Sequence, residues 1–155
     1  MTERWVIDAS VLAKIYLKDE DHTEIAETIV SRYISGTIDL VAPQFILYEV
    51  PSTILAAVRR RRLNAERGYQ AIREFFELRI PLVGDDATLQ SMIEAAYTLA
   101  QDTGCKIYDS LYLVVAEAFD CPFITADAKL FRALSQQTDY LAWIGDFQPE
   151  TAASS

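Results

Sequence analysis

Five short apolar runs, each separated from the next by one or two stretches of helical period, govern what this chain can fold into. Residues 5–7, 38–41, 81–83, 122–125 and 141–144 read as strands. Between them, residues 10–17, 21–34, 44–62, 64–78, 87–101, 108–119 and 127–134 read as helices. Strands joined through helices need crossover connections, so the sheet is parallel and its faces carry the helices. The runs at 5–7 and 122–125 show little polar alternation, as strands buried on both faces do. The expected fold is therefore α/β. A chain of 155 residues leaves room for one core. Residues 1–148 are expected to form a single domain, with 149–155 a disordered tail.

Local signals refine the helices. Asp21 and Glu24 have capping-box spacing at the head of the second helix. Asn64 is placed as an N-cap and Gly104 as a stop signal. Pro51 interrupts the 44–62 pattern, because proline removes an amide donor and clashes with the preceding turn. Either the helix kinks there, or a new helix begins with Pro51 in its first turn.

Composition excludes several chemistries. With 14 basic and 23 acidic residues the net charge is −9, which argues against a general nucleic-acid coat protein but not against a nuclease. The lone His22 sits in a polar stretch, so neither a Cys2His2 zinc site nor a buried Ser-His-Asp triad can readily be built. Cys105 and Cys121 form no framework, which fits a reducing cytoplasmic setting. The opening residues lack the apolar core of a signal peptide. Residues 40–58 are nearly uncharged, but Glu49 in mid-stretch makes membrane insertion costly. The chemistry must run on carboxylates.

Functional groups in open α/β sheets gather beyond the carboxyl ends of strands. Asp8 directly follows the first strand, and Asp127 lies just past the fourth. Each can equally serve as the N-cap of the next helix. Asp109 opens a helix that is apolar on nearly every side, where the helix dipole also favours an acid. Glu49 lies among Phe45, Ile46, Leu47, Tyr48 and Val50, away from any clear cap. A buried carboxylate there must neutralise, pair with an arginine or ligate a cation. Clustered carboxylates repel unless a cation joins them, and Mg²⁺ or Mn²⁺ suits hard oxygen ligands with a phosphate nearby.

In these motifs the sequence resembles the PIN domain family, and within it the VapC-like toxin ribonucleases of toxin–antitoxin pairs. The resemblance rests on Val6-Ile7-Asp8-Ala9-Ser10-Val11-Leu12, Ala42-Pro43 with Leu47-Tyr48-Glu49-Val50, the block from Tyr108-Asp109-Ser110 to Ala116-Glu117, and Phe123-Ile124-Thr125-Ala126-Asp127. It implies a three-layer α/β/α sandwich with a central parallel sheet. It also implies an acidic quartet of Asp8, Glu49, Asp109 and Asp127, with Asp8 and Asp109 the more direct metal ligands. Ser10 and Thr125 match supporting polar positions. The implied activity is a Mg²⁺-dependent endoribonuclease, Mn²⁺ being possible, which hydrolyses RNA with a metal-activated water. The implied partners are an RNA substrate, a small antitoxin protein and a second copy in a homodimer, with no membrane. Pro51 and Ser52 depart from the pattern, which leaves a second reading: a weak or inactive PIN scaffold that binds a protein or RNA. An aspartyl-nucleophile phosphatase ranks low, because Ser10 stands where its second Asp would be.

Arg59, Arg60, Arg61 and Arg62 are candidate RNA contacts. Consecutive helical residues are about 100° apart, so the four cannot share one face, and a solvated helix end explains them as well. Tyr108, Tyr112 and Phe119, at helical spacing, are expected in the core rather than as base-stacking platforms.

Overall fold

Strands β1 (Glu3–Ile7), β2 (Ile38–Pro43), β3 (Leu82–Val83), β4 (Phe123–Thr125) and β5 (Leu141–Trp143) form one sheet in the order β3-β2-β1-β4-β5, every neighbouring pair parallel. The structure, a computed structural model, describes residues 2–148, and the tail expected at 149–155 lies outside the described residues. The chain builds outward from β1 to β2 and β3, then returns to place β4 on the other side of β1. Right-handed crossovers running in opposite directions put their helices on opposite faces, which gives the three-layer α/β/α sandwich. Among the described residues no helix is long and apolar enough to cross a membrane.

The register explains why β1 and β4 lack alternation. Val6 pairs with Val41 on one side and Phe123 on the other, and Ile7 pairs with Ile124. All five of these residues are buried, since both faces of the central strands are covered. The Asp8 amide extends the ladder by one bond, donating to the Ile124 carbonyl at 3.0 Å. That bond sets Asp8 beside Thr125. The order of strands reverses between β1 and β4, and a crevice opens outside the carboxyl ends of strands at such a point.

The helices are α1 (Ala9–Ala13), α2 (Thr23–Ile34), α3 (Ile46–Arg59), α4 (Ala65–Glu77), α5 (Leu89–Thr103), α6 (Ile107–Phe119) and α7 (Ala128–Leu134). Helix α1 is shorter than its apolar period suggests. The amides of Lys14, Ile15 and Tyr16 bond back three residues, at 3.2, 3.2 and 3.1 Å, so the chain tightens into 3-10-type turns. The capping box at Asp21 does not form. His22 takes the N-cap position with a left-handed φ of 64° and no side-chain cap bond. A left-handed residue there breaks the extended entry that the box requires. Asn64 does cap α4, accepting from the Arg67 amide at 2.7 Å. Gly104, at φ 76°, closes α5.

Pro51 lies inside α3, which runs unbroken from Ile46 to Arg59, and no second helix starts there. The loss is confined to the bond the Leu47 carbonyl would have accepted. Across from it, Gly68 lets α4 approach α3, since a Cβ at that position would stand 2.9 Å from a Val58 methyl. Of the three aromatics expected in the core, only Tyr112 is buried. Tyr108 and Phe119 occupy the two ends of α6, where the helix emerges, and are half-exposed. Tyr108 stacks on Phe45 with ring centroids 4.3 Å apart, and Phe119 lies under the Arg4 guanidinium.

Candidate active site

Asp8 leaves β1, Glu49 lies in the first turns of α3, Asp109 in the first turn of α6, and Asp127 follows β4. Four acids from four separate parts of the fold line one hollow of about 320 Å³, together with Ser10, Lys14, Glu20 and Thr53. A larger groove of about 780 Å³ between α2 and α4 sets Glu74 and Glu77 among Lys18 and Arg67, so its charges balance. The acid hollow is not balanced. Among the described residues, the salt bridges go to other acids, and none reaches the quartet. The arginine partner considered for Glu49 is therefore not what holds it.

Asp8 is the most enclosed of the four, at 6% exposure. Ser10 Oγ and Thr125 Oγ1 both donate to its Oδ2 at 2.7 Å. Each hydroxyl has one proton and spends it on Asp8. Each then accepts a backbone amide from the loop after β4: Ala126 N–H on Ser10 at 3.0 Å, Asp127 N–H on Thr125 at 3.0 Å. The two supporting positions expected from the sequence thus fix one oxygen of Asp8 and leave Oδ1 unclaimed by either. Asp8 stands at the N-cap position of α1 yet makes no side-chain cap bond. The capping explanation fails for it.

Asp127 does cap. Its Oδ1 accepts the Lys129 and Leu130 amides at 3.0 and 3.1 Å while the residue lines the hollow. Capping and site geometry coexist in this residue. Glu49 Oε1 accepts the Tyr112 hydroxyl at 2.7 Å. Pro51 therefore does not remove Glu49 from the hollow. Ser52, next to it, is exposed.

Burial and mutual repulsion raise the carboxyls of Asp8, Glu49 and Asp109. Burial pushes the Asp8 carboxyl up to about 6, against the pull of Ser10 and Thr125, and Asp109 and Asp127 add repulsion. Burial likewise pushes Glu49 up to about 7, opposed by the Tyr112 bond and reinforced by Asp8 and Asp109. Asp109 is raised by burial and by Asp127, with Lys106 pulling the other way.

The donor set is all oxygen and acid-rich, which suits a hard divalent cation. Among the described residues no three His, Cys, Asp or Glu side chains are grouped closely enough to hold a metal ion by themselves. Such a hollow fits an ion that keeps several waters and takes one or two carboxylates, as Mg²⁺ does.

Two residues of the hollow and one behind it are not evident from acid spacing alone. Tyr112 reads as core, and its hydroxyl partner lies 63 positions away. Lys14 and Glu20 pair at 3.3 Å inside the hollow's wall. The available signal for Lys14 is its place as the one charge in Val11-Leu12-Ala13-Lys14-Ile15-Tyr16-Leu17. Of the arginine run, Arg59 ends α3, Arg60 and Arg61 leave the helix, and Arg62 is engaged by Asp19 and Glu20.

The family model for the PIN domain matches residues 5–135. Ribonuclease VapC3 of Pyrobaculum aerophilum is 29% identical over 126 residues, covering 81% of this chain and 90% of that protein. Ribonuclease VapC9 of Mycobacterium tuberculosis is 27% identical over 128 residues, covering 81% and 87%. The crystal structure of PAE2754 from Pyrobaculum aerophilum superposes with a TM-score of 0.65 at 16% identity, covering 94% of this chain and 93% of that one.

Proposed function

Since the chain belongs to the PIN domain family, we propose that it is a Mg²⁺- or Mn²⁺-dependent endoribonuclease, the toxin of a toxin–antitoxin pair. The observation that carries this reading is the convergence of Asp8, Glu49, Asp109 and Asp127 on one hollow in which, among the described residues, no arginine or lysine pairs with them. Relatives named as VapC ribonucleases support the substrate class. RNA, a small antitoxin protein and a second copy of the chain are the partners of this reading, and the cytoplasm is its setting.

When bound, a divalent cation screens the charge on the phosphate and lowers the pKa of water. The protein's own groups do the rest. Asp8, fixed through Oδ2 by two hydroxyls, offers Oδ1 to the hollow without a rotamer search. Asp109 and Asp8 serve as the more direct ligands, while Asp127 and Glu49 complete the pocket. Glu49 Oε1 is occupied by Tyr112, so Oε2 is the oxygen that can take a proton from the attacking water. In the metal-free hollow burial raises its carboxyl to about 7, and a bound cation would pull it back toward the ionised form that accepts a proton.

Purified protein should cut RNA with Mg²⁺ or Mn²⁺ and stop with EDTA. Asp8→Asn and Asp109→Asn should abolish cleavage and leave the fold intact, since each removes charge from a repulsive cluster. A cation at about 100 times its dissociation constant should add roughly 2.7 kcal/mol of stability. Cleavage that survives both EDTA and these substitutions would sink the proposal.

A further inference from the structure

We infer that Lys14 is the side chain that receives the substrate's phosphate in the acid hollow, a reading that rests on the nuclease function proposed above. A phosphodiester entering this hollow meets five acidic side chains, Glu20 and the quartet, and carboxylate charge there repels its own. Among the described residues that line the hollow, Lys14 is the one base. Its stem is packed, with the residue 8% exposed, so the ammonium is presented at a defined place rather than on a free tether.

The contact that now holds Lys14 is a weak one. An ammonium has three donors, and one of them reaches Glu20 Oε1 at 3.3 Å, longer than the usual charge-assisted bond of about 2.7–2.9 Å. Glu20 does not depend on it. The other oxygen of Glu20 takes Arg62 at 2.8 Å, and Arg62 forks onto both oxygens of Asp19 at 3.0 and 2.8 Å. When Lys14 turns to a phosphate oxygen, Glu20 keeps its arginine, and no buried charge is orphaned. Asp19, Arg62 and Glu20 form a clamp that holds Lys14 at the wall of the hollow.

The test uses Lys14→Met, with Lys14→Arg as the charge-keeping control. A short fluorescent single-stranded RNA is titrated in Ca²⁺ at several salt concentrations, and cleavage is followed in Mg²⁺. A lost phosphate contact should flatten the slope of log K against log salt by about 0.7 for single-stranded RNA. In Lys14→Met, cleavage should fall about 10- to 100-fold in kcat/KM, while stabilisation by Mn²⁺ is kept. Lys14→Arg should keep the wild-type slope. A Lys14→Met protein with an unchanged slope, or with cleavage within about twofold of wild type, overturns the inference. Should Lys14→Met not fold, Lys14→Gln carries the same measurement. If wild-type protein cuts no RNA with any cation, the nuclease reading fails, and the salt slope still decides whether Lys14 contacts phosphate.

Discussion

The phenolic hydroxyl of Tyr112 donates to Glu49 Oε1 at 2.7 Å, which joins α6 to α3 at the acid hollow. Tyr112 is otherwise enclosed, stacked on Phe123 with centroids 5.1 Å apart. A core ring thereby fixes the position of a site carboxylate. Tyr112→Phe keeps the packing and removes the bond. Glu49 then holds its proton to higher pH, so the acidic limb of the pH–rate profile should move up by roughly one unit. Stability should fall by only about 1 kcal/mol. An unmoved profile would show that Glu49 takes no part in the titration that controls rate.

Metal-free protein should lose stability as pH rises. Asp8 and Glu49 titrate at about 6 and about 7 in the folded state, above ordinary carboxylates, so between about pH 4 and 7 the folded protein holds protons that the unfolded chain has released. The stabilisation is complete below that window and is lost as pH climbs through it. For Asp8 alone it amounts to at most about 3 kcal/mol. Denaturant titrations at pH 5 and pH 8 read it directly, Asp8→Asn should flatten the difference, and Mn²⁺ should offset it at the higher pH.

Thr125→Val should cost about 1–3 kcal/mol despite its matched shape. Thr125 is fully buried, and its hydroxyl both donates to Asp8 and accepts the Asp127 amide. Its loss leaves that amide short of a partner and lets the Asp8 carboxyl rise further. Weaker Mn²⁺ binding at pH 7, partly recovered at pH 8, is the expected signature in a thermal-shift titration.

Capping and charge can be separated at Asp127. Asparagine preserves an acceptor for the Lys129 and Leu130 amides, whereas alanine does not. Asp127→Ala should lower stability by about 1 kcal/mol, and Asp127→Asn should be near neutral. Both should impair cleavage, because both remove the charge. Normal activity in Asp127→Asn would reduce the residue to a cap.

The sheet was legible in the sequence because its central strands are buried on both faces, and burial writes itself as uninterrupted apolar runs such as Val6-Ile7 and Phe123-Ile124. The acids were legible for the opposite reason, as charges where an apolar run should continue or end. What remained hidden depends on distance or on local backbone rotation. Nothing near Tyr112 signals that its hydroxyl meets Glu49, and nothing near Lys14 signals Arg62 behind its partner Glu20. His22 adopts a left-handed turn that composition favours only weakly, so the capping-box spacing at Asp21 was misleading. Pro51 looked disruptive because a helix interior tolerates proline poorly, but the helix runs on through it and Glu49 stays in place.

Thr125 holds Asp8 from 117 positions further along the chain. During synthesis on the ribosome, the first strand emerges long before the residue that secures its aspartate. A partly made chain thus has the acids of its first half but lacks the hydroxyl that fixes Asp8. The acid hollow takes its final shape only after the strand that carries Thr125 has left the ribosome.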